Sequence, residues 1–365
     1  MARKAGEPPY GLILAGGRGT RFWPRSRRKS AKQVLRFFGE HSLIQQTVNR
    51  LRPVIPPERI WVLTNDHLKD EIAAQLSGVP RRQILAEPAQ RNTAPAIGLA
   101  AHILASVDPD AVMGVFPSDH VIGRPDDYVR LVKPAFEAAR RGKIAVLGIQ
   151  PRWAETGYGY IEFPRGIEAG NPQPSPVRSF REKPKRPEAE RFVRAGNFYW
   201  NAGMFFWRAS VLLQALREHR PKIASLLATL PPFESRQFTA RLGEVFPLCE
   251  DVSVDYAVME PAAKAGQVVG LAAGDIGWND VGSWNAVYEL YDKDRDGNAG
   301  RGELLIEKSK RVYVDADGKL VALLGVKDLI VVDTPDALLI AHRTRAQEIG
   351  KLVKRLEKSP REDLL

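Results

Sequence analysis

Between Gly11 and Ile149, short aliphatic and β-branched runs alternate with stretches whose apolar positions recur at helical spacing. Residues 11–15, 60–64, 83–87, 111–117 and 144–149 predict strands, and residues 43–51, 66–76, 93–106 and 127–140 predict the helices between them. This order is that of βαβ units. Residues 113–116 and 144–147 are continuously apolar rather than alternating, the pattern of strands covered by helices on both sheet faces. The expected fold is therefore α/β, with a doubly wound, mostly parallel Rossmann-like sheet. Ligands of such sheets lie beyond the carboxyl ends of the strands, which directs attention to the residues just after each run.

The pattern is less regular over residues 151–273, where strands at 158–163, 177–181, 202–207 and 268–271 mix with helices. After Asp292 it changes again: strands at 311–314, 320–324 and 329–332 are separated by Gly or Asp turns, and 343–356 reads as a terminal helix. Residues 1–292 are thus expected to form one large domain and 293–365 a small β-rich module with a terminal helix. The edges of such a tail are compatible with a homodimer. No apolar run has the length of a membrane span, and the polar stretch 1–10 lacks the features of a signal peptide, so a cytoplasmic protein without a membrane partner is expected. Cys249 is the sole cysteine, which excludes an internal disulfide and a thiolate metal cluster.

Charge adds one clue. Lys and Arg number 54 against 43 Asp and Glu, a net +11 that suits nucleic acid, membrane or polyphosphate partners. Arg18, Arg21, Arg25, Arg27, Arg28, Lys29, Lys32 and Arg36 crowd one early segment. Arg25 to Lys29 read as a solvated face, whereas Arg18, Arg21 and Lys32 flank a glycine loop. A nucleic-acid binder would interleave basic and aromatic residues along a face without paired carboxylates, so no nucleic acid is expected.

The glycine loop, Ala15-Gly16-Gly17-Arg18-Gly19-Thr20-Arg21-Phe22-Trp23-Pro24, follows the first strand. Its glycines let the backbone approach a phosphate and turn N–H groups toward it, and Arg21 and Lys32 add charge. Phe22 replaces the last glycine of the dinucleotide pattern G-x-G-x-x-G, and the P-loop pattern is absent. Ser118 and Asp119 end the strand at 111–117, where Mg²⁺ bridging phosphates takes a carboxylate oxygen; the bland alternative is a turn cap. Asp280, in the Gly- and Trp-rich stretch 277–284, is either a second carboxylate for that Mg²⁺ or a helix N-cap. The segments 156–162, 181–184 and 199–204 combine small residues with carboxylates or amides suited to sugar hydroxyls, and Lys183 suits a sugar phosphate. Tyr199, Trp200 and Phe205 read as core, and His102 and His120 as structural, with no zinc-ligand spacing.

Together these segments resemble the sugar-phosphate nucleotidyltransferases, whose signature is a G-G-x-G-T-R-x-x-P loop followed by lysine. More narrowly, residues 87–97, 116–120, 200–204, 255–260, 277–284 and 326–339 are similar to mannose-1-phosphate guanylyltransferases. The resemblance implies a C-terminal β-helical piece, GTP and mannose 1-phosphate as substrates, and attack of the sugar phosphate on the α-phosphorus with loss of pyrophosphate. It implies that Arg21 and Lys32 neutralise the triphosphate held by Ala15, Gly16, Gly17, Gly19, Thr20 and Ser118. Asp119 and Asp280 would hold Mg²⁺, Lys183 would position the sugar phosphate, and Gly159, Glu182 and Asn201 would meet the mannose hydroxyls. Guanine offers two adjacent donors that one carboxylate can accept, which makes Glu87 its expected reader, with Asn92 and Thr93 beside it. The chain departs from the family pattern at Ala31, where proline is usual, and at Gln90, where glycine is common. No isomerase activity, which some relatives carry on a further domain, is expected. Two other readings are a relative using another sugar 1-phosphate or nucleotide, and a catalytically silent nucleotide-sugar sensor.

Overall fold

In the computed structural model, which describes residues 7–365, the expected strands become β1 (Tyr10–Leu14), β2 (Ile60–Thr64), β3 (Ile84–Ala86) and β4 (Val112–Pro117). Between and after them lie helices α1 (Leu43–Leu51), α2 (Asp66–Gln75), α3 (Thr93–Val107) and α4 (Pro125–Arg140). A capping box starts α1: the Gln45 amide donates to Ser42 Oγ, and Gln45 Oε1 accepts from the Ser42 amide at 2.9 Å. The four strands are parallel in the order β3-β2-β1-β4, so the chain turns back on itself between β1 and β4.

The sheet then continues through the long strand Phe198–Arg208, which is antiparallel to β4 on one side and to Ile144–Ile149 on the other. Strand Val268–Ala273 runs parallel to Ile144–Ile149. The sheet is mostly parallel, as expected, with one antiparallel strand at its centre. The sequence locates that strand at 202–207 and misses its start, because Asn201 and Gly203 interrupt the apolar run and the pairing shifts register between Asn201 and Phe205. Alternate residues pack on opposite faces. Leu12, Leu63, Val115 and Trp207 join a core with α3 and helix Ala209–His219, and Ile13, Val62, Phe116 and Phe206 join a second with α1, α2 and α4. This double burial explains the continuous apolar runs. Among the described residues no helix is long and apolar enough to cross a membrane.

The C-terminal residues form a four-stranded sheet. Ala299–Glu307, Tyr313–Leu324 and Leu329–Asp333 follow one another in parallel, and Leu338–His342 returns antiparallel. The two strands expected at 311–314 and 320–324 are one: Asp317, Gly318 and Lys319 look like a turn in sequence but face solvent within a continuous strand. The terminal helix divides into a 3₁₀ segment, Arg343–Glu348, and an α-helix, Ile349–Leu356.

This C-terminal sheet shares a core with the segment that follows the glycine loop. Phe22, Phe37 and Trp284 meet Tyr313, Ile330 and Val353 in one cluster. Trp284 is fully buried, contacts Phe22, Phe37 and Tyr313 ring to ring, and donates its indole N–H to the Trp23 carbonyl at 3.2 Å. The reading of Arg25 to Lys29 as a solvated face holds only for Arg28 and Lys29. Arg25 donates to Asp315 at 3.1 Å and Asp317 at 2.7 Å, and Arg27 to Asp336 at 2.9 Å, so both are half-buried bridges to the C-terminal sheet. Because the two parts share this core, heat is expected to unfold the chain in one transition seen alike by near- and far-ultraviolet circular dichroism. Trp284→Ala is expected to lower stability by about 3–5 kcal/mol in the same assay.

Candidate active site

Most of the candidate groups at the nucleotide end stand at the carboxyl edge of the parallel strands β3-β2-β1-β4, near the switch point between β1 and β4. The glycine loop leaves β1 and folds back onto Lys32. Gly19 adopts φ +61°, and a Cβ there would lie 2.6 Å from Lys32 Cβ and 2.8 Å from its backbone nitrogen, so only glycine fits. Gln33, buried, donates to the carbonyls of Ala15 at 2.7 Å and Gly17 at 3.1 Å and fixes the loop from below. Ala31, where the family has proline, has φ −74° and ψ 165°, the conformation a proline ring would impose.

Lys32 is the centre of the site. Its side chain is buried, and Nζ donates to Asp119 Oδ2 at 2.9 Å and to the Asp280 carbonyl at 2.6 Å. One ammonium thus gathers the end of β4 and the Gly- and Trp-rich turn. Burial pushes the Asp119 carboxyl up, but the Lys32 and His120 fields and its hydrogen bonds together outweigh it and hold it below the ordinary carboxylate range. Asp280 Oδ1 accepts the Tyr158 hydroxyl at 2.7 Å, and the N-cap of the following helix is Ser283, so Asp280 is not a helix cap. Val281, next in sequence, is fully buried at φ +46°, a strained conformation for a β-branched residue. The Asn279 side chain holds it by accepting the Val281 amide at 2.7 Å.

The turn at the end of β4 is supported from beneath. Arg50, fully enclosed on α1, donates to the His120 carbonyl at 2.6 Å, and burial lowers its guanidinium to about 10. His120 is structural, as read from sequence: burial brings its imidazole down to about 4, against the pull of Asp119 and Asp280. Nδ1 of the neutral ring accepts the Trp278 indole N–H at 3.2 Å, which leaves the proton on Nε2, 4.0 Å from Asp119. Among the described residues no group of three or more His, Cys, Asp or Glu is placed to hold a metal.

Two cavities flank Glu87, at the end of β3. One, of about 540 Å³, is lined by Gly16, Gly17, Asn92, Thr93, Ser118 and Asp119 as well as Glu87. The other, of about 380 Å³, is lined by Gly16, Arg18, Asn65 and Glu357 on the far side. Burial pushes the Glu87 carboxyl up to about 7. Asn92 and Thr93 are already engaged: Asn92 Oδ1 accepts the Thr93 amide at 3.0 Å and caps α3, and Thr93 Oγ1 accepts the Val254 amide at 2.8 Å.

The third cluster adjoins Tyr158. Gly159 accepts the Asn201 amide at 2.8 Å, and a Cβ at Gly159 would stand 2.5 Å from Glu182 Oε2, so the carboxylate occupies space that only glycine leaves. Asn201 donates through Nδ2 to Asp255 Oδ1 at 3.0 Å, and Lys183 pairs with Glu182 at 3.1 Å. Burial first, and Asp255 second, raise the Glu182 carboxyl; burial likewise raises Asp255. Asp255 opens a π-helical turn, Asp255–Met259, a local geometry frequent at functional sites. Tyr199, Trp200 and Phe205 are buried in the core, as expected.

Most of the expected residues are therefore brought together, and two are not. Thr20 and Arg21 lie in a 3₁₀ turn facing the C-terminal helix, where Arg21 donates to Gln347 at 2.6 Å. Sequence reasoning missed Gln33, Arg50, Tyr158 and Asp255 as parts of the site. Of these Asp255 carried a signal as a residue of a family-like segment, and Tyr158 as a residue of the segment 156–162 read as suited to sugar hydroxyls, whereas Gln33 and Arg50 act through contacts with backbone carbonyls of other segments.

Comparison with known proteins agrees with this geometry. Residues 10–297 match the nucleotidyl transferase family, and residues 304–356 match the mannose-phosphate isomerase/GMP-like beta-helix domain. A mannose-1-phosphate guanylyltransferase of Klebsiella pneumoniae is 39% identical over 358 residues, 96% of this chain and 74% of the relative. The alginate biosynthesis protein AlgA of Pseudomonas aeruginosa is 38% identical over 365 residues, 96% of this chain and 73% of the relative. A crystal structure from Thermus thermophilus, described as a mannose-1-phosphate geranyltransferase, superposes with a TM-score of 0.85 at 31% identity, over 96% of this chain and 100% of that one. With a glycine loop closed on a lysine that joins two carboxylate-bearing turns, and with this likeness along nearly its whole length, the chain belongs to the nucleotidyl transferase family, among the mannose-1-phosphate guanylyltransferases.

Proposed function

We propose that the protein transfers GMP from GTP to mannose 1-phosphate, giving GDP-mannose and pyrophosphate. The observation that carries this reading is the Lys32 ammonium, within hydrogen-bond distance of both Asp119 and the Asp280 backbone beneath the glycine loop. A phosphate oxygen of the sugar phosphate forms a bond to the α-phosphorus as the bond to the bridging α–β oxygen breaks, and pyrophosphate leaves with that electron pair. No protein nucleophile takes part. The work of the chain is to position two anions and to offset the charge they bring together. Lys32 supplies a fixed positive charge at the reacting phosphates, and the amides of Gly16 and Gly17 face the triphosphate.

Asp119 and Asp280 would hold Mg²⁺, which commonly binds through one or two carboxylates plus substrate phosphates; Asp119 meets Lys32 through its carboxylate, and Asp280 through its backbone carbonyl, with its own carboxylate on Tyr158. When bound, the ion neutralises phosphate charge and favours departure of pyrophosphate. Lys183, beside Glu182 on the third cluster, holds the sugar phosphate, and Gly159, Glu182 and Asn201 receive the mannose hydroxyls, with the Glu182 carboxylate seated in the space that Gly159 leaves. Glu87 reads guanine by accepting N1–H and the N2 amine with its two carboxylate oxygens. Arg21 reaches the triphosphate only after leaving Gln347.

Pyrophosphate release from GTP and mannose 1-phosphate, measured beside other sugar phosphates and nucleotides, tests the reaction. Selective, magnesium-dependent release is expected, and Asp119→Asn, which leaves Lys32 an acceptor, should reduce it about a hundredfold or more. Release from no pair would favour the silent sensor instead. Glu87 accepts the guanine donors only when ionised, and its carboxyl titrates near 7, so its contribution is present above that pH and is lost as pH falls through it. The KM for GTP is expected to be about fourfold higher near pH 6.5 than near pH 8 from this group alone. Glu87→Gln should remove that part of the pH dependence, leaving the part due to the triphosphate itself, and should weaken the preference for GTP over other nucleotides.

A further inference from the structure

Both arginines of the glycine loop are held by the last helix of the chain. Arg18 Nη2 donates to Glu357 Oε1 at 2.7 Å, and Arg21 Nη1 donates to Gln347 Oε1 at 2.6 Å. Gln347 lies in the 3₁₀ segment Arg343–Glu348, and Glu357 is the C-cap of Ile349–Leu356, so the two ends of this terminal helical unit touch the middle of the loop at Arg21 and Arg18. Between them Thr20 packs under the helix at Gly350, where a Cβ would come within 3.3 Å of the Thr20 hydroxyl. Trp23, just past the loop, donates its indole N–H to the Leu364 carbonyl at 2.9 Å in a buried contact. The helical unit is therefore seated against the loop, with the Arg18–Glu357 pair at its end.

Glu357 also lines the 380 Å³ cavity, together with Gly16, Arg18, Asn65 and Glu87. A carboxylate on the cation of a phosphate-binding loop occupies the donors that a phosphate would use. It is a weak partner: the side chains are 46% and 30% exposed, and ion pairs of that exposure are readily exchanged for a multiply charged ligand. The glycine-loop backbone, by contrast, is fixed by Gln33 and does not depend on Glu357.

We propose that Glu357 is an internal competitor for the nucleotide's terminal phosphates: it holds Arg18 in the free protein, and Arg18 leaves it for the triphosphate when GTP binds. The inference rests on the GTP reading given above and adds to it a site of control outside the catalytic cluster. It assigns to the C-terminal helix a direct effect on nucleotide affinity. The effect scales with the number of phosphates, because GMP has none to place at Arg18.

The test is calorimetric titration of the full-length protein with Mg-GTP and, separately, with GMP. Glu357→Gln is expected to tighten GTP binding about two- to fivefold with GMP binding unchanged, the range that an exposed pair of this kind supports. Glu357→Lys should tighten GTP binding further. Arg18→Ala should weaken it, and in the Arg18→Ala background Glu357→Gln should have no effect, which a purely structural role of Glu357 would not produce. Unchanged GTP affinity in Glu357→Gln, an equal gain for GMP, or a gain that persists without Arg18 would overturn the proposal. If the wild-type protein bound no GTP, the functional reading itself would fall; if it bound and turned over GTP with Glu357→Gln unaltered, only this inference would.

Discussion

The arrangement depends on burying one positive charge. Lys32 sits on an irregular segment, and an ammonium removed from water is costly unless it is paired. Its three protons call for acceptors, and two of them go to Asp119 and to the Asp280 carbonyl. Those acceptors come from segments 87 and 248 residues away in sequence, so satisfying one side chain brings three parts of the chain to a point. The glycine loop closes over it only because residue 19 has no side chain, and the strained Val281 persists because the turn carrying Asp280 is held on both sides.

The loop has two sides, and they are built by different parts of the chain. Its inner side, with Gln33 and Lys32 beneath, belongs to the large domain. Its outer side is backed by the C-terminal sheet and helix, through the aromatic cluster around Trp284 and the bridges from Arg25 and Arg27 to Asp315 and Asp336. The C-terminal strands therefore do more than extend the molecule. They furnish the wall against which the glycine turn is shaped, and their terminal helix reaches its arginines.

How much of this was legible in the sequence differs from residue to residue. Strands β1, β2 and β4 were readable because burial on both sheet faces writes uninterrupted apolar runs, and helix α1 because its apolar positions recur at helical spacing. Asp119 and Glu87 were readable as chemistry because they follow such runs directly. Asp280 was ambiguous alone, since an Asp before a helix is equally a cap; the structure decides by giving the cap to Ser283. The antiparallel direction of Phe198–Arg208 was not legible, because strand direction is a property of pairing and leaves no periodicity. Arg25 and Arg27 misled for a similar reason: their partners are some 290 and 309 residues downstream, and a run of arginines looks the same whether water or carboxylates receive it. Gln33 and Arg50 support the site by bonding to backbone carbonyls, which no side-chain pattern announces.

The central antiparallel strand has a mechanical consequence. Phe198–Arg208 is hydrogen-bonded along one edge to β4 through Phe205–Arg208 and to Tyr160–Glu162 through Phe198–Trp200, and along the other edge to Ile144–Ile149. It acts as a common spar: β4, which leads into Asp119, and Tyr160–Glu162, which follows Gly159, do not pivot about each other without breaking a ladder. The separation of those two turns is set by the length of one strand rather than by a hinge.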